Sequence, residues 1–456
     1  MAKMSSRVQQ IARVSLGEPE QAGRCQQLQE SEDSVRRGRI YVWTPDPSGT
    51  LHGHLTATVV PLPRLDTDGG GRGHLWGRHV RVRNGGAVRE FDSATGAVQA
   101  IPIGDARPNA AGDFLFEPGR GGGRMDKLAP AVMASSERAQ FRWRYIQAAH
   151  FGEVNTYFHL DRIAVYVDGL LHELGAPSLP PVLAVVNAHD AVIEQDGIRD
   201  GVRRGDRWVA FQGGHYRLPS DQYDICERKP ISPNGEIHLG PGRQLLQHGA
   251  LVEAAGKRYR ANASHNAGIL YHEYGHHIAR HTADFRANEF RPLHRQSNRK
   301  TAMDEGISDY WAATMLGTPH IWAWHHCRDA QGVHVRSLTS SKTMADYDPG
   351  PGADAHANGT IWAAALWDVR TRLGEAEPNG VRQMDLLVLK ALLLLGRLVR
   401  PGREVTVTTI HRARQSYAVG LAALLQAAEL LNVGSYQKTI LAAFAERGIQ
   451  PAPADA

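Results

Sequence analysis

The hydrophobic pattern changes period once along this chain, and that change limits the folds open to it. Over residues 38–118, from "GRIYVWTP" to "GDFLFEPG", apolar residues alternate in short runs such as "HLTATVVPL", "HVRVRN" and "AVREFDS", separated by Gly, Pro and Asp. Alternation with period two is the mark of strands with one buried face. "GRGGGR" at 119–124 reads as a flexible linker. From about Gln140, in "FRWRYIQAAHFGEVNTYFHLDRIAVYVDGLLHELG", apolar residues recur every three or four positions, as in a helix buried on one face. Residues 180–260 mix short strands with turns, and "NGEIHLGPG" reads as a strand ending in a glycine turn. From Ala263 onward nearly everything reads as helix, with "GLAALLQAAELLNVG" and "YQKTILAAFAERGI" expected to close at glycines. The expectation is an α+β protein. It has a polar leader or arm over 1–37, a small β domain over 38–124, and a domain over 140–452 that is mixed at first and then mainly helical.

Composition excludes several classes. The net charge of +5 is mild and is spread through segments such as "SVRRGR" and "VRRGDR", without the interleaved aromatics of an RNA platform. No nucleic-acid partner is expected. Three widely separated cysteines, Cys25, Cys226 and Cys327, neither pair off nor form a CxxC motif, so no disulfide framework is expected. The most apolar run, "LLVLKALLLLGRLV", is too short to span a bilayer and carries Lys390 and Arg397, so it reads as a buried core helix. The first residues contain no apolar core of signal-peptide length, which points to the cytoplasm if this is the full chain.

Chemistry concentrates in "ILYHEYGHHIARH", residues 269–281. His272, Glu273 and His276 form HExxH. Four residues apart on a helix, the two imidazoles lie on one face and can reach one ion. Glu273, one step round, can touch a water beside that ion without binding it, which is the mechanical content of the zincin motif. In a chain with 23 histidines the motif alone restricts little, so its setting matters. "NAGILY" supplies an apolar helix face before it. Gly275 costs about 1 kcal/mol of helix propensity against alanine, which points to a packing or access reason for its presence. His277 is expected to face solvent or stand behind the ligands. Ala279 and Thr282 stand where a metzincin needs glycine and histidine, so that route to a third ligand is closed.

The helix pattern in "TAMDEGISDYWAATMLG", from Thr301, supplies another route. Asp304 is expected to cap the helix, and Ile307, Trp311 and Met315 to form its buried stripe. Glu305 and Asp309 stack at i, i+4. One carboxylate can bind zinc while the other orients a ligating imidazole. On this helix alone, an exposed acidic pair favoured by the dipole fits equally well. With HExxH in the same chain the ligand reading prevails.

"HEYGH" followed by "DEGISD" resembles the gluzincin zinc metallopeptidases of the fungalysin and thermolysin kind. Their third ligand is the glutamate of an E-G/A-x-S-D segment, here Glu305. The 28 residues between His276 and Glu305 are closer to the fungalysin spacing. "DAHANGTIWAAALWDVRTRLG" is similar to the family's helix start whose histidine stabilises the transition state, here His356. "NTYFHLDRIAVYV" and "AAFAERGI" resemble the opening and closing helices of the catalytic domain. The likeness covers about residues 140–450. It implies a zincin-type domain with the metal at the junction of its mixed and helical parts, one catalytic zinc, and a protein or peptide substrate. It also implies secretion as the alternative to the cytoplasm.

The roles implied are His272, His276 and Glu305 on zinc, Glu273 as general base, His356 as oxyanion donor and Asp309 behind a ligating histidine. Asp354 or Asp348 is a candidate to orient His356. The sequence departs from the pattern in two places. A tyrosine at the oxyanion-assisting spacing is missing, and no Asn-Ala pair for substrate backbone is legible, "YDICERKP" standing before "GEIHLGPG". Two competing readings remain, a zinc aminopeptidase and a binding protein on a decayed peptidase fold. The second predicts damage at the base or a ligand, and all four positions are intact.

Overall fold

The computed structural model describes residues 35–45, 53–66, 73–91, 98–118, 135–188, 192–194, 198–199, 202–203, 207–210, 213–220, 231–241, 244–245, 251–254, 262–321, 336–398 and 406–452. Residues 1–34 of the expected leader, the "GRGGGR" linker, the three cysteines and "YDICERKP" lie outside these residues, while Arg37 already starts a strand.

Strands β1 (Arg37–Pro45) and β2 (Gly53–Pro61) form an antiparallel hairpin in register Tyr41↔Ala57. β3 (Val80–Asn84) is followed by a second hairpin, β4 (Ala87–Phe91) with β5 (Val98–Pro102). The next element is the 39-residue helix α1 (Ser135–Glu173), which begins five residues before the expected Gln140. β6 (Val182–Val186) leads into short strands β7 (Val192–Glu194), β8 (Ile198–Arg199), β9 (Val202–Arg203) and β10 (Arg207–Ala210). Then come β11 (Gly214–Arg217), β12 (Glu236–Leu239), β13 (Gln244–Leu245) and β14 (Leu251–Ala254).

The sheet that matters for the site has the order β11-β12-β6-β3. Ala184 of β6 pairs in parallel with Val82 on one side and with Ile237 on the other, and β11 runs antiparallel along the edge. Strand β3 therefore crosses the boundary expected at residues 119–124 and joins the sheet of the following segment. Val80 and Val82 of β3 are buried and Arg81 and Arg83 exposed, so one face of the strand joins the core shared with the following segment. One apolar core runs from Ile40 through Val80, Phe151 and Leu270 to Phe444. Burying a side chain of Leu or Phe size there is worth about 1.5–3 kcal/mol.

The rest is helical. α2 (Ala267–His281) and α3 (Ala302–Leu316) are followed by α4 (Ala355–Ala376) and α5 (Gly380–Gly396). α6 (Val407–Arg414), α7 (Tyr417–Leu430) and α8 (Gln437–Ala445) close the chain. This is the α+β architecture expected. α5 carries the apolar run and is buried along Met384–Leu395, as a core helix. Among the described residues no helix is long and apolar enough to cross a membrane. α7 does not end at a glycine as expected: Asn432, with φ of 58°, takes the left-handed position beyond it. Asparagine tolerates that conformation because its short side chain can bond locally.

The three helices that carry the site each start at a side-chain cap. Asn266 accepts from the Gly268 and Ile269 N–H groups of α2. Thr301 caps α3 by accepting from Asp304 N–H, and Asp354 caps α4 by accepting from His356 N–H. α3 is buried on all sides from Met303 to Thr314, so its expected apolar stripe is only part of its packing. It touches α2 and α4 at backbone distance. A Cβ on Gly275 of α2 would lie 2.5 Å from Ser308 Cα of α3. Gly306 of α3 and Gly359 of α4 face each other in the same way, each leaving under 2.9 Å to the other's backbone: 2.6 Å to Gly359 O and 2.8 Å to Gly306 N. The packing reason expected for Gly275 is thus met.

Candidate metal centre

Helix α2 presents His272 and His276 on one face, and α3 presents Glu305 opposite them. Glu305 Oε2 lies 3.2 Å from His272 Nε2 and 3.7 Å from His276 Nε2. All three side chains are buried, and their ligand atoms lie within 4.8 Å of one another. Four-coordinate zinc with bonds of about 2.0–2.2 Å sets neighbouring ligand atoms about 3.3–3.5 Å apart, close to what is found.

Protons decide whether this cluster is an ion pair or a vacancy for a cation. His272 Nδ1 lies 2.8 Å from Asp309 Oδ1, and His276 Nδ1 lies 2.8 Å from Asp304 Oδ1. A carboxylate only accepts, so each Nδ1 holds the proton, and a neutral ring is left with its lone pair on Nε2. Ser308 Oγ, 2.9 Å from His276 Nδ1, adds a second polar neighbour on that side. With both rings neutral, two Nε2 lone pairs and a carboxylate oxygen converge. Glu305 Oε2 has no hydrogen-bond partner despite its burial. Such an atom needs a cation, and the donor set of two imidazoles and one carboxylate is one that zinc accepts.

Without a metal the electrostatics of the three groups differ. Burial opposes the charge on Glu305, yet His276 and His272 beside it hold its carboxyl far below the usual range. Burial, helped by Lys300, keeps His276 neutral by moving its pKa well below the ordinary imidazole value. For His272, burial and Arg336 disfavour the cation, but Asp309 and Glu305 outweigh them and raise it to about 9. A ligand must be deprotonated, so metal binding at His272 displaces a proton.

Glu273 stands on the same helix with Oε2 buried and without a hydrogen-bond partner. Burial raises its carboxyl to about 7, the range that suits a general base at neutral pH. Edge strand β11 covers it: a Cβ on Gly214 would lie 2.8 Å from Glu273 Cγ. Only glycine leaves room there.

His356 is brought to the same place from α4, where it is the second residue of the helix. Its Nε2 lies 3.1 Å from Glu305 Oε2 and its Nδ1 2.9 Å from Asp354 Oδ1. Its side chain is 43% exposed, unlike the three buried residues, so it faces the open side of the site. Asp354, not Asp348, is its partner. Asp348 instead bonds Asn358 through its backbone and Gly350 N–H through its side chain.

Two expectations need correcting. His277 does not face solvent: it is fully buried, with Nε2 donating to Pro180 C=O at 2.9 Å and Nδ1 3.2 Å from the Tyr216 hydroxyl. It ties α2 to the sheet, because residue 277 of the helix turns toward β11. His281 donates to Asn234 C=O at 3.0 Å and stands away from the cluster. Asp304 is not the cap of α3, since Thr301 already fills that role, and its side chain is free to hold His276.

Two residues at the site were not found from the sequence. Asp304 precedes the ligand Glu305 as Asp309 follows it, and the flanking symmetry of "DEGISD" was the available signal. Arg336 left none. Its guanidinium donates through Nε to Asp309 Oδ2 at 3.1 Å and through Nη2 to Asp309 Oδ1, with Nη2 3.7 Å from Glu305 Oε2. It neutralises the carboxylate behind His272 from a segment remote in sequence.

No curated protein matches the chain. The model of one protein family, the fungalysin metallopeptidase (M36), matches residues 33–451. That span reaches past the likeness read from the sequence, taking in the β strands before α1. With nearly the whole chain matched and a His-His-Glu cluster at its centre, the protein belongs to the fungalysin family of zinc metallopeptidases, enzymes that hydrolyse peptide bonds in proteins or peptides.

Proposed function

We propose that the protein is an endopeptidase in which His272, His276 and Glu305 hold the zinc, Glu273 is the general base and His356 the oxyanion donor. The observation that carries this reading is the convergence of the His272 and His276 Nε2 atoms on the buried Glu305 Oε2, with the unpartnered Glu273 Oε2 on the same helix. Zinc, when bound, supplies a Lewis acid that polarises the scissile carbonyl and lowers the pKa of water.

Glu273 takes the proton of the attacking water and later passes it to the leaving amine. A carboxyl raised to about 7 by burial is matched to both halves of that task. As the water oxygen bonds to the carbonyl carbon, negative charge grows on the carbonyl oxygen. His356 Nε2–H is placed to donate to it, a contribution of about 3 kcal/mol in comparable sites. Asp354 holds the ring by Nδ1. Asp309 and Asp304 fix the tautomers of His272 and His276, and Arg336 holds Asp309 in turn.

The endopeptidase reading rests on β11. Gly240 N–H donates to Gly213 C=O, so in the antiparallel register Gly213, His215 and Arg217 bond inward to β12. Gly214 and Tyr216 therefore turn their N–H and C=O groups to the open edge. An extended peptide can add to that edge by backbone bonds, passing over Glu273, and needs no free terminus to do so. Among the described residues no group that would hold a substrate's free amine is recognisable.

The test is hydrolysis of casein and of peptides blocked at both ends, with metal analysis, for the protein and Glu273→Gln. The expected result is one zinc per chain in both, chelator-sensitive cleavage by the protein, and cleavage lower by orders of magnitude in the variant. Activity only on peptides with a free amine would overturn the endopeptidase assignment. Equal loss of zinc and activity in the variant would remove Glu273 from the role of base.

A further inference from the structure

Beside the metal centre lies a small cleft whose walls carry Arg280, Arg286, Arg299 and Lys300 against Asp284 and Asp304. The two acids are already engaged. Asp284 pairs with Arg280 at 3.2 Å and with Arg414 at 3.7 Å, and Asp304 holds His276. Arg286 bonds His411 at 2.8 Å and Arg299 reaches only the Pro351 carbonyl at 3.5 Å. The buried Nε atoms of Arg280 and Arg286 have no hydrogen-bond partner. The cleft thus has cationic donors in excess of its acids.

Lys300 stands at its mouth. The ammonium is half-buried and lies 3.3 Å from both the Tyr216 carbonyl and Asn298 Oδ1, and 4.9 Å from the centre of the Tyr216 ring. It meets no carboxylate in an ion pair among the described residues. The carboxyls of Asp304 and Glu273 feel its charge without pairing with it, so a half-buried ammonium with two long neutral bonds is left able to give a further carboxylate a charge-assisted bond. Its position is informative. Tyr216 is one of the two β11 residues whose carbonyl faces the open edge, and Gly214, over Glu273, is the other. The two are separated by about 7 Å along an extended strand.

Resting on the reading of the protein as a peptidase that takes its substrate along β11, we infer that this cleft is a subsite for a carboxylate within about two residues of the cleaved bond, with Lys300 the specificity-determining residue. The carboxylate comes from an acidic side chain or from the substrate's C-terminus. The chain then prefers acidic peptides over their neutral isosteres.

The test uses the zinc-loaded protein and Lys300→Met and Lys300→Arg. Fluorogenic peptide pairs carry Glu or Gln at each of the two positions on either side of the cleaved bond, plus one pair with a free or amidated C-terminus. The ratio of kcat/KM within each pair is the readout. We expect a ratio of about tenfold or more for the acid at one position, falling as salt rises, collapsing to near one in Lys300→Met and largely kept in Lys300→Arg. If the internal Glu/Gln pair carries the effect, the ligand is a side chain; if the terminal pair does, it is the C-terminus. Efficient cleavage with no acid preference in any pair overturns the inference and leaves the peptidase reading standing. A ratio unchanged in Lys300→Met also overturns it. No cleavage of any peptide overturns the peptidase reading, and this inference with it.

Discussion

Replacing Gly275 with alanine sets two physical rules against each other and so tests how the site is built. Helix propensity alone makes Gly275→Ala stabilising by about 1 kcal/mol, since the position is inside α2 and helical. Packing gives the opposite sign. The added Cβ falls 2.5 Å from Ser308 Cα and 2.9 Å from Ser308 Cβ, where ordinary contact is 3.4–4 Å. The nearest atom is backbone, so no rotamer change relieves it. α2 and α3 must part by the difference, 3.4 − 2.5 = 0.9 Å at the least. Overpacking of this kind costs about 1–3 kcal/mol, enough to cancel or exceed the propensity gain. Ser308 lies between Asp304 and Asp309, so the same shift lengthens two 2.8 Å bonds, from His276 to Asp304 and from His272 to Asp309. Disturbing such partners lowers metal affinity about 10–100-fold. Urea unfolding of the metal-free protein and a competitive zinc titration measure the two effects. A variant that is more stable and binds zinc as tightly refutes the argument that the helix crossing sets the ligand geometry.

Other substitutions separate ligand, orienter and donor. Glu305→Ala is expected to lose most of its zinc on gel filtration, and full retention would send the search for a third ligand elsewhere. Asp304→Asn is expected to keep zinc with about tenfold or greater loss of affinity, because it only holds the His276 tautomer; an unchanged dissociation constant argues against that role. His356→Ala should fold and keep zinc, hold KM within a few-fold and lower kcat by about a hundredfold or more, since the donor acts in the transition state. Near-normal turnover would leave it a surface histidine. Acid stability tests a buried histidine away from the metal. Burial lowers His159 from 6.5 to about 3. A depressed folded pKa means the unfolded chain binds the proton first, so stability is full above pH 6.5 and falls below it. The loss is about 1.4 kcal/mol per unit, or about 2 kcal/mol by pH 5. In His159→Gln the slope of unfolding free energy between pH 6.5 and 5 should fall by one proton; the same slope in both proteins rules the assignment out.

The parts of this molecule that were legible in the sequence are those in which a side chain's role follows from spacing along one element. His272 and His276 share a face because they are four apart, and Glu305 and Asp309 do so for the same reason. The core helix α5 was legible from apolar content alone. What escaped depends on contacts between elements. Nothing in "HVRSLTSS" says that Arg336 returns to Asp309. His277 was expected outward because its neighbour His276 points to the metal. In the fold both faces of α2 are covered, one by α3 and the other by the sheet through Tyr216 and Pro180. Asp304 was read as a cap because acids favour the first turn of a helix. Thr301 took the cap and released the carboxylate for His276. The strand β3 was assigned to a separate unit because its parallel partner β6 lies about a hundred residues later, beyond α1.

The arrangement of charge around α3 explains why the first turns of this helix are buried at all. Asp304, Glu305 and Asp309 are three carboxylates within six residues, and each is nearly inaccessible to solvent. Removing an unpaired carboxylate from water is prohibitive, so each must be answered by a specific partner. Asp304 is answered by the His276 Nδ1 proton, and Asp309 by the His272 Nδ1 proton and the Arg336 guanidinium. Glu305 is left to the Nε2 atoms of His272 and His276 and to the half-exposed His356. The two outer acids thus create the need that the middle one shares: by fixing the tautomers they turn a pair of imidazoles into electron donors aimed at Glu305. Only a cation between them completes the set. The glycine crossings at Gly275 and at Gly306 with Gly359 then bring three helices close enough for single side chains to span the gap. The metal site is therefore a property of how α2, α3 and α4 cross, and HExxH is the part of it that one helix can carry alone.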